Sequence, residues 1–334
     1  MERGKRLEKP KTLVTRKLLP AVEERMAQLF DAQFNADDRA MNRNDIIQAS
    51  QNMDVLVPTV TDTIDADLIK ALPDSIKMIA NFGSGVNHID LLAAKDRGII
   101  VTNTPGVFTD DTADLTMALI LSVPRRLAEG EKLMRSGEWK GWNPSSMLGH
   151  RIGGKTLGII GFGRIGEAVA RRAQALGLSI LYSKRKRLPA STEDMLNVQY
   201  EPDIDRMLAR SDIISIHCPL TNETEKLIDE RRISLMKSSA YIINTSRGEI
   251  IDEDALIQAL ETREIAGAGL DVYTHEPSVD ARLLALANVV LLPHMGSATF
   301  EGRSASGEKV IANIRVWADG HRPPDQVLDG FDRV

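Results

Sequence analysis

The feature that most constrains the fold is a strand that leads directly into three closely spaced glycines. The apolar run from Leu157 to Ile160 precedes Gly161, Gly163 and Gly166, in the pattern G-x-G-x-x-G. In this pattern the first glycine makes a tight turn, the second lets a pyrophosphate approach the backbone, and the third allows close helix packing. The alanine-rich segment 167–176 is a suitable helix, whose amino-terminal N–H groups would bind the anion. The motif therefore predicts a dinucleotide-binding turn, with an ordinary glycine-rich turn as the alternative.

A run of cations follows the next predicted strand, at 179–183. The chain continues as Lys184-Arg185-Lys186-Arg187, where an NAD-selective site would have an acidic residue for the ribose 2′-hydroxyl. No carboxylate is available here, and arginine and lysine favour a 2′-phosphate. We therefore expect NADP as the cofactor, with NAD as the weaker alternative. A solvated basic loop or a nucleic-acid patch is the other interpretation of this run.

Composition excludes several classes of protein. The chain has 334 residues, of which 43% are hydrophobic and 27% charged, which is typical of a globular protein with room for two domains. The formal net charge of −5 argues against a general nucleic-acid binder, because the cations are local. A single cysteine, Cys218, excludes an internal disulfide and leaves no cysteine cluster for zinc, so we predict no metal site.

The amino-terminal segment from Met1 to Lys11 is basic but has no apolar core for secretion. Its acidic residues Glu2 and Glu8 do not suit a transit peptide, and we expect the segment to be a loose end. No apolar stretch approaches the roughly 20 residues that cross a bilayer. The sequence therefore predicts a cytoplasmic protein without a membrane partner.

Alternating strand and helix patterns predict parallel sheets in two successive units. The dinucleotide motif appears only after residue 150, so the earlier alternation must form a separate α/β unit. We predict an α/β fold of two Rossmann-like domains: a flavodoxin-like substrate domain at 1–108, completed by 299–334, and a doubly wound dinucleotide-binding domain at 109–298. A long helix from Thr109 to Leu127 is expected to link them, and a helical tail from Gly307 to Asp319 to fold back on the first. Strands are predicted at 12–16, 55–60, 76–82, 98–103, 213–217, 240–244, 267–270 and 289–292.

Reactive side chains follow three of the later strands, at the sheet edge where α/β proteins bind ligands. Arg247 lies in the turn after one strand, Glu276 precedes a proline after the next, and His294 follows the last. An arginine can bind a carboxylate through two hydrogen bonds and polarise an adjacent carbonyl. A histidine can give a ketone oxygen its proton, while a neighbouring carboxylate keeps the imidazole charged and fixes its tautomer. Taken singly, the arginine could be a salt-bridge partner and Glu-Pro an ordinary loop; taken together, the three predict a catalytic trio.

Neighbours of these residues are weaker candidates. His275 adjoins Glu276 but is expected to be exposed. His217 closes a strand and is expected to be satisfied there, with cofactor contact as the alternative. Cys218 is expected to be a small buried filler, since nothing nearby in sequence would lower its pKa.

Further motifs accompany the trio at 81–90 (N-F-G-S-G-V-N-H-I-D), 103–107 (N-T-P-G-V), 244–248, 270–277 and 293–299. With these motifs the chain resembles the D-isomer-specific 2-hydroxyacid dehydrogenases, and most closely the glyoxylate and hydroxypyruvate reductase branch. The resemblance implies an NADPH-dependent reductase of a small 2-oxo acid, glyoxylate or hydroxypyruvate, that gives the D-2-hydroxy acid. An NAD-dependent dehydrogenase of a bulkier acid and a non-catalytic nucleotide-sensing relative are the alternatives.

The resemblance also implies residue roles. Arg247 would orient the substrate, His294 would be the acid and base, and Glu276 its partner. Backbone amides around Ser84 and Gly85 would bind the substrate carboxylate. The implied cofactor contacts are Gly161, Gly163 and Gly166 in the turn, Arg164 and Ile165 at the pyrophosphate, Lys184 and Arg185 at the 2′-phosphate, Cys218 and Pro219 near the adenosine, Asp271 near the nicotinamide amide, and also Ser183, Thr245 and Gly296.

The segment from Trp139 to Pro144 resembles a tryptophan-bearing loop of that branch, which lies at a dimer interface. Two interpretations of Trp142 stay open: a core tryptophan, or an aromatic side chain that reaches the substrate site of the neighbouring subunit. By resemblance we expect a homodimer formed through residues 109–149.

Overall fold

The computed structural model describes residues 9–327. It divides into two compact units: unit 1 contains the described residues up to Phe108 and those from Ala298 onward, and unit 2 runs from Thr109 to Ser297. Most of the segment that we expect to be a loose end, Met1 to Lys11, lies outside the described residues. Within 9–327, no helix combines the length and the apolar character needed to cross a membrane.

Unit 1 is built on a parallel sheet flanked by helices. The elements before residue 109 are β1 (Lys11–Val14), α1 (Pro20–Leu29), β2 (Asp31–Gln33), α2 (Arg43–Ala49), β3 (Val55–Val57), α3 (Ala66–Ala71), β4 (Met78–Ala80), α4 (Leu91–Asp96) and β5 (Ile100–Thr102). The strands follow the order β2-β1-β3-β4-β5, and every pair is parallel. This is the order of flavodoxin-like folds, as the sequence predicts.

The sequence pattern does not predict β2, α2 or α4. Strand β2 reads D-A-Q at the edge of the sheet, so it has no apolar alternation to reveal it. The helices α2 and α4 are short and depend on their caps. The side chain of Asn42 accepts a hydrogen bond from the Asp45 N–H at 3.1 Å, and that of Asp90 accepts one from the Ala93 N–H at 2.9 Å.

Unit 2 contains a larger parallel sheet. Its elements are α5 (Thr109–Ser122), α6 (Leu127–Ser136), β6 (Thr156–Ile160), α7 (Arg164–Ala175), β7 (Ser179–Ser183), α8 (Ala190–Leu196), β8 (Val198–Tyr200), α9 (Ile204–Arg210), β9 (Ile213–Ile216), α10 (Glu230–Ser234), β10 (Tyr241–Asn244), α11 (Glu253–Glu261), β11 (Gly267–Leu270), α12 (Ala281–Ala285) and β12 (Val289–Leu291). The strand order is β12-β11-β10-β9-β6-β7-β8. The order reverses between β6 and β9, which is the switch point of a doubly wound dinucleotide-binding fold. The predicted α/β class with two Rossmann-like domains is therefore confirmed.

The helix expected from Thr109 to Leu127 is shorter in the structure. Helix α5 ends at Ser122 and α6 begins at Leu127, so the prediction of one continuous helix is wrong at the four positions 123–126. Pro124 lies between them and disfavours helical backbone in the residue before it. Arg126 then adopts a left-handed conformation with φ of 55°, which redirects the chain into α6.

The last helix, α13 (Phe300–Ala318), belongs to unit 1. It starts earlier than the predicted Gly307, because the hydroxyl of Thr299 caps it by accepting from the Gly302 N–H at 2.9 Å. Its buried face joins a core cluster that includes Val22 and Met26 of α1. Contact between the two helices is close at Gly307, where an added Cβ would lie 2.5 Å from the methyl groups of Val22.

Replacing Gly307 with alanine tests this packing. Alanine is the better helix former by about 1 kcal/mol, but its methyl group overlaps Val22, and we expect a net loss of about 1 to 3 kcal/mol in the free energy of unfolding. The measurement is the midpoint of urea unfolding followed by circular dichroism. Adding Val22→Ala should restore part of the loss, whereas a raised midpoint in Gly307→Ala alone would contradict this contact.

Candidate active site

The glycine turn of unit 2 has the shape that a dinucleotide needs. Gly161 has φ of 91°, and a Cβ there would lie 2.3 Å from the backbone nitrogen of Cys218. A Cβ on Gly166 would lie 2.4 Å from the carbonyl oxygen of Gly161. A Cβ on Gly163, in contrast, would meet no atom within 4 Å. The space over Gly163 is open at the start of α7, where first-turn N–H groups have no partner inside the helix, so a pyrophosphate fits there.

Two of the predicted cofactor residues, Arg164 and Ile165, come directly after Gly163 in the chain. Arg164 is the first residue of α7 and is exposed, while Ile165 packs against the core of the unit. The turn is tied to the end of β7, because the Gly161 N–H donates to the carbonyl oxygen of Ser183 at 2.9 Å. This bond brings the cationic run after Ser183 beside the glycine turn.

The backbone of His217 and Cys218 lies directly against Gly161 of the glycine turn. The Nε2 atom of His217 lies 2.7 Å from the hydroxyl of Ser215, and burial lowers the pKa of His217 to about 3. Burial also raises the pKa of the Cys218 thiol to about 12. Both side chains are therefore neutral at pH 7, in agreement with a satisfied histidine and a buried filler. Pro219 continues this segment, and its carbonyl oxygen accepts from the Thr224 hydroxyl at 2.7 Å.

The sheet order brings the predicted trio onto adjacent strand ends. Arg247 follows β10, Glu276 follows β11 and His294 follows β12, and these strands are neighbours with parallel pairing. The Nδ1 atom of His294 lies 2.6 Å from Oε2 of Glu276. The other carboxylate oxygen of Glu276 accepts from the Tyr273 N–H at 3.0 Å. With Nδ1 donating to the carboxylate, Nε2 is the imidazole atom available to a ligand.

Arg247 lies close enough to this pair to act on it electrostatically. Burial opposes ionisation of Glu276, but the hydrogen bond and charge of His294, the Tyr273 N–H and the charge of Arg247 together lower the pKa of Glu276. Burial lowers the pKa of Arg247 itself, and Glu249 and Glu276 oppose that shift. A guanidinium stays protonated in proteins, so the site combines a fixed cation with a carboxylate-bound imidazole.

The turn that carries Arg247 lies against the loop that carries Glu276. The side chain of Asn244 fixes the turn, donating to the carbonyl oxygen of Arg247 at 2.7 Å and accepting from the Ser246 N–H at 3.0 Å. A Cβ on Gly248 would lie 2.0 Å from the carbonyl carbon of Tyr273. Only glycine fits at this contact. The sequence motif contains Gly248, but the motif alone does not reveal the approach of the two loops.

His294 has a left-handed backbone, with φ of 52°. Such a conformation costs a non-glycine residue about 1 to 3 kcal/mol and needs support from its surroundings. Asp271 supplies it, because its two carboxylate oxygens accept from the Met295 N–H at 2.7 Å and the Gly296 N–H at 2.8 Å. Burial raises the pKa of Asp271, although these N–H groups oppose the shift. The structure thus assigns Asp271 a contact with the His294 loop, which sequence reasoning missed.

Helix α5 supports the same region through two threonines that sequence reasoning also missed. The hydroxyl of Thr112 donates to the carbonyl oxygen of Gly296 at 3.2 Å. The hydroxyl of Thr116 lies 2.8 Å from that of Thr245. Two predicted cofactor residues, Thr245 and Gly296, are therefore held by α5. Threonines inside a long helix give no sequence signal for this role.

The predicted substrate loop belongs to unit 1. Asn81 donates to the carbonyl oxygen of Gly85 at 2.9 Å, and Asn103 donates to that of Ser84 at 2.7 Å. The Ser84 hydroxyl donates to the carbonyl oxygen of Thr104, also at 2.7 Å. Within residues 9–327 the backbone N–H groups of Ser84 and Gly85 make no hydrogen bond. The loop is fixed by its carbonyl groups, which leaves its N–H groups for a ligand.

Trp142 is not a core residue, which excludes one of its two interpretations. Its side chain is 81% exposed, and Trp139 is 52% exposed. Met134 and Leu148 are also exposed large apolar residues in this stretch of unit 2. Exposed apolar side chains at this density indicate an interaction surface.

Comparisons with known proteins give consistent matches. The family model for the D-isomer specific 2-hydroxyacid dehydrogenase, NAD binding domain, matches residues 117–296. The chain is 45% identical over 323 residues to a glyoxylate reductase of Thermococcus litoralis, covering 96% of this chain and 97% of that protein. It is 41% identical to a glyoxylate reductase of Pyrococcus furiosus, with 96% and 95% covered.

Among solved structures, an NADPH-dependent glyoxylate/hydroxypyruvate reductase from Sinorhizobium meliloti, in complex with NADP and malonate, superposes with a TM-score of 0.85. It is 34% identical, and the match covers 96% of this chain and 97% of that one. The chain therefore belongs to the D-isomer-specific 2-hydroxyacid dehydrogenase family, as an NAD(P)-dependent oxidoreductase.

Proposed function

We propose that this enzyme reduces a small 2-oxo acid, glyoxylate or hydroxypyruvate, to the D-2-hydroxy acid with NADPH. The observation that carries the proposal is the 2.6 Å contact between His294 and Glu276, on strand ends beside the half-buried Arg247. Relatives named glyoxylate reductase support this choice of substrate. A single buried thiol, Cys218, suits the reducing cytoplasm, where we propose that the enzyme works.

The trio accounts for substrate orientation and proton transfer. When bound, the reduced dinucleotide supplies a hydride to the carbonyl carbon. Arg247 binds the 2-oxo acid through its planar guanidinium and polarises the carbonyl group. His294 donates the Nε2 proton to the carbonyl oxygen as negative charge develops there, while Glu276 accepts the hydrogen bond from Nδ1 and fixes the orientation of the ring. The N–H groups of Ser84 and Gly85 are proposed to bind the substrate carboxylate.

The residues proposed to hold the cofactor fit its chemistry. The open backbone at Gly163 and the first turn of α7 would bind the pyrophosphate. Lys184 and Arg185 would bind the 2′-phosphate through charge-assisted hydrogen bonds. Asp271, Thr245 and Gly296 are proposed to lie at the nicotinamide end; the further proposed contacts are Ser183, Cys218 and Pro219.

Replacing His294 with alanine tests the proton donor. We expect kcat for glyoxylate reduction to fall by about 100- to 10,000-fold, because the general acid is lost, while NADPH binding, measured by fluorescence titration, persists. His275→Ala is the matched control, since His275 is an exposed histidine on the same loop as Glu276. Unchanged turnover in His294→Ala would refute the assignment.

The cofactor preference is tested by the double variant Lys184→Asp with Arg185→Ser. Each lost charge-assisted bond is worth about 1.5 to 3 kcal/mol, so the ratio of kcat/KM for NADPH to that for NADH should fall by at least about 10-fold. Arg231→Ser removes a cation that pairs with Asp205 and serves as the control. A ratio that stays the same in the double variant would remove the NADPH claim.

We also propose a homodimer formed through residues 109–149, with Trp142 at the interface. Light scattering should give a mass near twice the chain mass of 36.8 kDa. Charging two exposed positions of this surface with the same sign, in Met134→Asp with Leu148→Asp, should give monomers, because unpaired charges would have to be buried. Leu284→Lys alters a comparably exposed leucine, 61% exposed, elsewhere in unit 2, and should leave the dimer intact. A monomeric wild-type protein would contradict the proposal.

A further inference from the structure

We propose that Tyr182 and Glu193 are positioning residues that hold the cationic loop 184–189 in the shape that receives a 2′-phosphate. In this proposal Arg187 is part of the support and is not a phosphate ligand. The inference rests on the NADPH preference proposed above, and it explains how a loop of like charges is kept in one conformation.

The phenol of Tyr182 joins the two ends of the loop. Tyr182 is fully buried in β7. Its hydroxyl donates to Oε1 of Glu193, on α8, at 2.5 Å, and accepts from the Leu188 N–H at 3.0 Å. One oxygen atom therefore links the strand before the loop, the end of the loop, and the helix after it.

Arg187 completes the support from inside the loop. Its Nε lies 2.9 Å from Oε1 of Glu193 and its Nη2 lies 2.7 Å from Oε2, a bidentate arrangement that fixes the planes of both groups. Its guanidinium carbon also lies 5.5 Å from the centre of the Tyr200 ring. The Tyr200 hydroxyl donates to the carbonyl oxygen of Lys184 at 3.2 Å, so the first residue of the loop is held as well.

The same aromatic group connects the loop to the phosphate-binding turn. The ring of Tyr182 lies 4.5 Å from that of Phe162 and 5.2 Å from that of Tyr200, centre to centre. Phe162 stands between Gly161 and Gly163 in the glycine turn. The two predicted phosphate-binding segments therefore pack against one cluster of three tilted rings.

The charges around the loop agree with a supporting role for Arg187 and a ligand-binding role for Lys184. Hydrogen bonds from Arg187 and Tyr182 lower the pKa of Glu193 to about 2, so it is a carboxylate at neutral pH and neutralises Arg187. Burial, and then the bond to Glu193, raises the pKa of Tyr182 to about 12, so the phenol keeps the proton that it donates. The described residues give no ion pair to Lys184, which leaves its charge for a ligand.

Tyr182→Phe is the decisive variant, because it removes the hydroxyl without changing charge or volume. The readout is direct binding, by calorimetry, of 2′,5′-ADP and of 5′-AMP to the full chain without cofactor. We expect affinity for 2′,5′-ADP to fall about 3- to 30-fold, while affinity for 5′-AMP changes by less than about twofold. Tyr241→Phe, a change of another buried tyrosine in unit 2, is the matched control and should alter neither affinity.

Glu193→Gln separates the proposal from its main competitor and carries the test if Tyr182→Phe fails to fold. If Glu193 only sequesters a phosphate-binding Arg187, the amide frees a cation and 2′,5′-ADP should bind more tightly. If Glu193 positions the loop, binding should weaken, and hydrogen exchange of the backbone amides of residues 184–188 should become faster. Tighter binding would overturn the inference.

The two proposals fail in different ways. If the double variant Lys184→Asp with Arg185→Ser leaves the affinity for 2′,5′-ADP unchanged, the NADPH proposal fails and this inference fails with it. If that double variant weakens binding but Tyr182→Phe and Glu193→Gln do not, the cofactor preference stands and only the positioning role is overturned.

Discussion

The carboxylate of Asp271 is the group on which the arrangement around His294 most depends. It accepts hydrogen bonds from two consecutive backbone N–H groups, those of Met295 and Gly296, and so holds His294 in a left-handed conformation that a non-glycine residue seldom adopts. Glu276 is fixed separately, by the Tyr273 N–H. The short contact between the imidazole and the carboxylate is therefore a second link between the two loops, because Asp271 lies at the start of the segment that carries Glu276. A site built in this way needs little reorganisation when charge develops on a ligand.

The doubly wound sheet explains why residues far apart in the chain meet. Strands β10, β11 and β12 are neighbours and all run in the same direction, so the segments after them leave the sheet at one edge. Gly248 then lets the Arg247 turn touch the next loop along this edge. The same sheet carries the glycine turn after β6 and the cationic loop after β7, so both proposed anion sites begin at strand ends too.

Much of this arrangement can be predicted from the sequence, and the exceptions have physical causes. Strand β7 matches its predicted bounds because a buried run ends at charged residues, and the trio is recognisable because reactive side chains directly follow apolar strands. Short elements such as β2 escape detection because they carry no periodic pattern. The supporting role of Asp271 and the hydroxyl contact of Thr116 depend on which segments meet in space. Trp142 could be assigned to the surface only from its exposure.

The proposed roles of His294 and Arg247 are tested most directly by a crystal structure of the protein with NADP and oxamate, an unreactive analogue of a 2-oxo acid. We expect one oxamate molecule to lie within roughly 2.6 to 3.2 Å of both Nε2 of His294 and the guanidinium of Arg247, while Nδ1 keeps its bond to Glu276. An imidazole of His294 turned away from the bound oxamate, with its Nδ1 no longer on the carboxylate, would contradict these roles.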